Sequence, residues 1–203
     1  MSPRPRKVSD EDVLTAALRV MSRVGPADLT LSAIADEAGV TAGALVQRFG
    51  SKQQLLLKLS QGAASGAAAF LGRLRETHRS PLAALREYAG CLADLAASPA
   101  AFIRNLAYLQ NDLSDPALRA SLTAQAMAVR GQIRAILRDA VAAGELRPET
   151  PVGPLARVIE TTLSGSLMTW ATYQQGAPTA WIRADLDRVV EPYRSRPDGR
   201  RRP

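Results

Sequence analysis

The sequence predicts an all-α protein of about nine helices. An N-terminal three-helix domain of helix-turn-helix type leads into a larger C-terminal helical domain. Three observations carry this expectation. Apolar residues recur at helical spacing from Val13 to Tyr193, with no alternating strand pattern and no hairpin signal. A capping residue stands directly before a proline at Ser80-Pro81, Ser98-Pro99, Asp115-Pro116 and Thr150-Pro151. Such pairs suit the N-cap and first helical position. Aromatics make up only 4 % of the 203 residues, so the core must be built from Ala, Leu, Val and Ile, which favours closely packed helices.

Taken in order, residues 1–8 form a flexible basic arm with Arg4, Arg6 and Lys7 among prolines. The first helix starts after Ser9, a capping residue. Asp10, Glu11 and Asp12 lie at the positive end of its dipole. Its stripe is Val13, Ala16, Ala17, Val20, Met21 and Val24, and Gly25-Pro26 ends it. Thr30 caps the second helix, which buries Leu31, Ile34, Ala35 and Ala38. Gly39 supplies a left-handed residue and Val40 tucks back. Thr41 caps a third helix to about Arg48, with Leu45 and Phe49 inward. Ser51 caps the fourth, and Gln54 three residues later fits a capping box. The fourth helix runs from about Lys52 to His78 and carries Gly62, Gly66 and Gly72, which suits close helix crossing or a soft point.

The remaining helices follow the proline pairs. Their stripes are Leu82, Leu85, Tyr88, Leu92 and Leu95; then Phe102, Leu106, Leu109 and Leu113; then Leu118 to Val141, ending at Gly144; then Leu155 to Trp170. Thr179 caps a last helix with Trp181, Ile182, Leu186, Val189 and Tyr193. The expected domains are the arm at 1–8, the helix-turn-helix domain at 9–55, a helical regulatory and dimerisation domain at 56–193, and a basic disordered tail at 194–203. The fourth helix links the two domains from about residue 52.

The inventory of reactive side chains is short. Cys91 and His78 are the only cysteine and histidine. No disulfide framework and no Cys-based zinc site can be built from them, and no acid–base or metal set is legible. The expectation is a non-enzyme with no catalytic residues, no metal and no cofactor. No apolar stretch follows the charges of residues 1–7 and no run of about 18 apolar residues exists, so neither a secretory signal nor a membrane span is expected, and the cytoplasm is the default location. The net charge of +7 suits an anionic partner, although Arg194, Arg196, Arg200, Arg201 and Arg202 supply much of it from the tail.

Thr30 to Leu55 contains the chemistry. Two short helices joined by a tight Ala38-Gly39-Val40 turn are a known way to place one helix in the DNA major groove. Together with the first helix, this stretch resembles the DNA-binding domain of the TetR family of transcriptional regulators. The resemblance rests on Val13, Ala16, Ala17 and Gly25, then Thr30, Ile34, Ala35, Ala38, Gly39 and Val40, then Gly43, Leu45, Phe49, Ser51, Lys52 and Leu55. It covers about a quarter of the chain, and the rest matches in architecture alone. The family commonly has an aromatic, usually Tyr, where this chain has Val46, and often His or another aromatic where it has Arg48. The resemblance implies a DNA-backbone contact at both positions. Val46 has no donor for it, whereas Arg48 offers a fork of donors to phosphate or guanine.

The predicted DNA-binding residues are Thr30, Thr41, Ala42, Gly43, Ala44, Gln47, Arg48 and Lys52. Small residues at 42–44 let the backbone approach the bases, Gln47 suits adenine or phosphate, and helix starts at Thr30, Thr41 and Lys52 suit phosphate. Two copies on a two-fold axis would fix half-site spacing. The expected dimer contact is Leu155, Val158, Ile159, Leu163, Ser166, Leu167, Ile182 and Val189, with an intramolecular role for this stripe as the competing reading. The resemblance implies a small-molecule pocket, for which Tyr88, Phe102, Asn105, Tyr108, Met127, Thr162, Trp170 and Tyr173 are the candidates. The function expected is a homodimeric regulator of a double-stranded DNA operator, a repressor released by a small-molecule effector, although the same domain can serve an activator. The alternative is a helical small-molecule-binding or protein-interaction module with weakened DNA reading.

Overall fold

The computed structural model describes residues 8–96 and 98–195. The expected basic arm therefore lies outside the described residues except for Val8, and the expected tail except for Arg194 and Ser195. The Leu95 side chain of the predicted fifth stripe also lies outside them. Among the described residues there are nine α-helices: α1 (Asp10–Met21), α2 (Leu31–Ala38), α3 (Ala42–Phe49), α4 (Lys52–Thr77), α5 (Pro81–Ala96), α6 (Pro99–Ser114), α7 (Pro116–Ala142), α8 (Val152–Tyr173) and α9 (Pro178–Val190). A short 3-10 turn, Glu191–Tyr193, follows α9. The one β feature among the described residues is an isolated antiparallel bridge between Leu146 and Arg194. None of these helices is long and apolar enough to cross a membrane.

The helix starts follow the capping chemistry closely. Ser9 and Asp12 form a reciprocal capping box on α1. Ser80 Oγ accepts from the Ala83 amide at 3.1 Å and Ser98 Oγ from the Ala101 amide at 3.1 Å. Asp115 Oδ1 accepts from the Ala117 and Leu118 amides at 2.8 and 2.9 Å. The Leu118 amide is the largest influence holding the Asp115 carboxyl below its ordinary range.

The fourth proline pair behaves differently. Thr150 is buried and its hydroxyl donates back to the Arg147 carbonyl at 2.6 Å, so Pro151 takes the cap position and α8 begins at Val152 without a side-chain cap. Likewise α9 starts at Pro178, one residue before the expected cap Thr179, with Ala177 as an unassisted N-cap. Proline's preset φ suffices there. The first helix stops at Met21, short of Gly25-Pro26. The chain leaves it through a turn in which the Arg23 and Val24 amides both donate to the Val20 carbonyl.

The described chain forms two compact units. One comprises the chain up to Ala63 together with Ile103–Thr123, and the other Ala64–Phe102 with the chain from Ala124 onward. Helices α4, α6 and α7 thus contribute residues to both. The N-terminal unit is closed by Val13, Ala17, Val20, Leu29, Ile34, Leu45, Phe49, Leu55 and Leu56, joined by Tyr108 and Leu118. The core of the C-terminal unit gathers Leu71, Leu85, Ile133, Ile136, Leu137, Leu155, Ile159, Leu163, Ile182 and Leu186. Both cores are mainly aliphatic, as the low aromatic content requires.

The glycines of α4 depart from one expectation. A Cβ added at Gly62 or Gly66 would meet nothing within 4 Å, and one at Gly72 only the Gln132 side chain from 3.8 Å outward. Close helix crossing is therefore not what these positions serve. What remains of the expectation is backbone softness.

Candidate nucleic-acid interface

The turn between α2 and α3 is built by one backbone requirement. Gly39 adopts φ 68° and ψ 35°, a left-handed conformation that glycine takes without steric cost. The Val40 amide then donates to the Ala35 carbonyl at 3.0 Å, which closes α2 and turns the chain into α3. Thr30 and Thr41 cap the two helices, each hydroxyl oxygen accepting from the amide three residues on at 3.1 Å. Capping uses an acceptor lone pair, so each threonine keeps its O–H for a phosphate oxygen.

On α3, Leu45 and Phe49 are buried while Gly43, Val46, Gln47 and Arg48 are exposed and Ala42 and Ala44 are half-buried. An aliphatic side chain at Val46 is 48 % exposed in the middle of this face. It can pack against a thymine methyl but cannot hold a phosphate. Arg23 pairs with Glu37 at 2.5 Å and ties the turn after α1 to α2.

Two of the predicted DNA contacts have partners inside the unit. Lys52 Nζ donates to the Leu29 carbonyl at 2.9 Å, which fastens the start of α4 to the segment before α2. An ammonium has three N–H donors, so two remain. Arg48 swings toward α1. Its Nε donates to Asp10 Oδ1 at 3.1 Å, one terminal nitrogen bonds the same oxygen, and the other donates to the Val8 carbonyl at 3.0 Å. The Arg48 fork, expected to serve phosphate or guanine, is engaged by Asp10 and Val8 in the DNA-free chain. With Asp10 nearby, the carboxylate wins the guanidinium in the DNA-free protein. Asp10 and Lys58 complete this cluster, and sequence spacing gives no sign of it because Asp10 lies 38 and 48 residues from its partners.

The predicted pocket residues are divided between the units. Asn105 and Tyr108 belong to the N-terminal one and the other six to the C-terminal one. They are therefore not eight walls of one cavity within a unit. Tyr108 is buried, and its hydroxyl donates to the Val24 carbonyl. Trp170 is buried with its Nε1 donating to the Gly176 carbonyl at 3.0 Å. Tyr173 is exposed and stacks on Trp181 at 5.9 Å between ring centroids. Met127 is exposed, Phe102 and Thr162 are half-buried, and Tyr88 is buried in the C-terminal core. Burial raises the Tyr88 phenol above its ordinary range, and the charge of Glu160 adds to this. Arg130 pairs with Glu160 at 2.5 Å. This charged pair in the C-terminal unit was not predicted, since isolated charges on long helices read as solvated. Two concavities of about 300 and 500 Å³ lie along α9, lined by residues such as Trp181, Ala184 and Arg188 or Arg86, Arg183 and Asp187. None of the eight candidates lines either.

Burial within the single chain speaks against five of the eight predicted dimer residues and leaves Val158, Leu167 and Val189 open. Leu155, Ile159, Leu163, Ser166 and Ile182 are at most 4 % exposed within the single chain. Their packing is intramolecular, and Ser166 donates to Asp185 at 2.8 Å. Leu167 and Val189 are half-buried and Val158 is exposed. The open face of α8 instead carries Val158, Thr161, Gly165, Met168 and Thr172 at helical spacing.

Comparison with known proteins agrees with this architecture. Residues 13–59 match the family model for bacterial regulatory proteins of the tetR family, and residues 102–186 match the tetracyclin repressor-like C-terminal domain. A search of curated proteins found no match. Among solved structures, the fold is similar to the fatty acid degradation regulator FadR from Bacillus halodurans, with TM-score 0.71, 17 % identity and full coverage of both chains. It is similar to SmeT, the repressor of the Stenotrophomonas maltophilia multidrug efflux pump SmeDEF, with TM-score 0.70 and 21 % identity over 95 % of this chain and 93 % of that one. It is also similar to FadR from Bacillus subtilis in complex with stearoyl-CoA, with TM-score 0.66 and 20 % identity over 90 % and 98 % of the two chains. With its capped two-helix reader and both halves matched, the chain belongs to the TetR family of DNA-binding transcriptional regulators.

Proposed function

We propose that this regulator is a homodimeric repressor that leaves a pseudo-palindromic operator when a small molecule binds its C-terminal unit. The observation that carries the reading is the exposed face of α3. Gly43 and Gln47 stand open beside Ala42 and Ala44, with the capping hydroxyls of Thr30 and Thr41 and the ammonium of Lys52 in the same unit. Small residues permit close approach to base edges, and helix starts hold phosphate. A single such unit covers little DNA, so a second copy is needed for affinity and for half-site spacing. The open face of α8 is the surface for that copy.

Release requires the effector to favour one of two arrangements of the chain. Helix α4 contributes to both units and is the element to transmit the bias. Acyl-CoA thioesters are the first effector class to try, because a regulator of similar fold is held in complex with stearoyl-CoA.

Selection of bound genomic fragments tests the reading. The expected result is an inverted repeat with half-sites about one helical turn apart, or a multiple of it. Addition of acyl-CoA thioesters and a broader compound panel to the purified complex should then release the DNA. Enrichment of no common sequence would end the operator reading, and a complex that no compound dissociates would end the effector reading.

A further inference from the structure

Asp10 is the first residue of α1, and cations from two other helices converge on its carboxylate. Arg48 of α3 reaches Oδ1 through two of its nitrogens, and Lys58 of α4 reaches Oδ2 at 2.5 Å. Both cations also lie over the Phe49 ring, at 5.7 and 5.2 Å from its centroid. The helix start does not depend on this carboxylate, because Ser9 and Asp12 already cap α1 reciprocally. Asp10, Arg48 and Lys58 keep 45, 28 and 50 % of their side-chain surface in solvent. The cluster is therefore open to an outside anion.

A carboxylate between two cations presents what a DNA phosphate would present, two oxygens and a negative charge. Arg48 lies on the exposed part of α3, and its long side chain, once free of Asp10, has the reach to meet a phosphate if α3 reads DNA. Exposed ion pairs are individually weak and screened by salt, so a phosphate can compete for these cations. We propose that Asp10 is an internal stand-in for DNA phosphate: it occupies Arg48 and Lys58 and so lowers the affinity of the protein for DNA of any sequence. An operator whose base contacts fit α3 bears this cost, and random sequence does not. The inference rests on α3 being the reading helix.

The test is binding of the full-length chain to a short duplex of mixed sequence across a salt series. Asp10→Asn should bind roughly tenfold tighter at low salt, and its salt slope should steepen by about 1 to 2, the contribution of one or two newly engaged cations. Asp10→Ser, which also suits a helix start, serves equally if the Asn variant melts early. Glu11→Gln makes the same change in net charge on the same turn and should give the smaller gain. In a chain that also carries Arg48→Gln and Lys58→Gln, Asp10→Asn should change little. Unchanged binding by folded Asp10 variants overturns the proposal, and so does weaker binding, which would mean that Asp10 positions Arg48 for DNA. A gain that persists in full without Arg48 and Lys58, or that Glu11→Gln matches, also overturns it. Failure of the wild type and every variant to bind the duplex would instead overturn the reading of α3 itself.

Discussion

The phenolic oxygen of Tyr108 on α6 donates a 3.0 Å hydrogen bond to the carbonyl of Val24, in the turn that leaves α1. Tyr108 is 7 % exposed and packs with the core of the N-terminal unit. A residue more than eighty positions downstream thus closes the turn that leads into the reading helices. Tyr108→Phe should lower stability by about 1 kcal/mol, the usual net worth of such a bond. The shift of the urea midpoint measures it, and an unmoved midpoint would assign the contact no weight.

The same phenol gives a pH dependence of defined sign. Burial, with a smaller contribution from the charge of Asp28, pushes its pKa up to about 12, against an ordinary value near 10. The folded state holds this proton more tightly than the unfolded one. The contribution is thus intact below pH 10 and is lost as the pH rises through 12. Between those values the wild type should lose stability more steeply than Tyr108→Phe. Parallel curves would contradict the assignment.

Lys52 is both a structural tie and a candidate phosphate contact. Lys52→Met keeps an aliphatic stem and removes the charge. If one of its remaining donors meets a phosphate, the salt slope of DNA binding should become shallower by about 1. A slope equal to that of the wild type would leave Lys52 only its bond to the Leu29 carbonyl.

Gly62 and Gly66 lie on α4 with open space where a Cβ would stand. Alanine at each should stabilise the helix by about 1 kcal/mol, because no packing opposes the gain in propensity. If softness in α4 serves the switch, the double variant should melt higher and need more effector for DNA release. A higher melting temperature with unchanged release would separate α4 flexibility from regulation.

The two faces of α8 make opposite predictions. Met168→Glu and Val158→Glu alter exposed positions and should shift a dimer toward monomer with little change in melting. Leu163→Glu buries a carboxylate in the C-terminal core and should unfold the unit. Sedimentation of the folded exposed-face variants decides the matter, and persistence of a dimer in both would place the interface elsewhere.

Much of the chain's organisation is written locally. The starts of α1, α2, α3 and α4 are legible at Ser9, Thr30, Thr41 and Ser51 because a cap needs only an oxygen and an amide three residues on. The αL turn at Gly39 and the apolar stripe of each helix are legible for the same reason, since their causes lie within one or two turns of chain. Capping failed as a guide at Thr150, where burial offered the hydroxyl a backbone carbonyl instead.

The rest required partners distant in sequence. Whether Leu155, Ile159 and Leu163 face a second copy or their own core depends on how α5 and α9 pack against α8, and the periodicity of α8 is the same in either case. Long polar side chains are the least legible of all. Arg48 has enough reach to serve DNA or Asp10, Lys52 to serve a phosphate or the Leu29 carbonyl, and Tyr108 to line a pocket or close a turn. The sequence by itself determined that α3 exists, where it starts and which two residues it buries. Only the tertiary structure decided which groups hold its charged end, because electrostatic partners are chosen by distance in space.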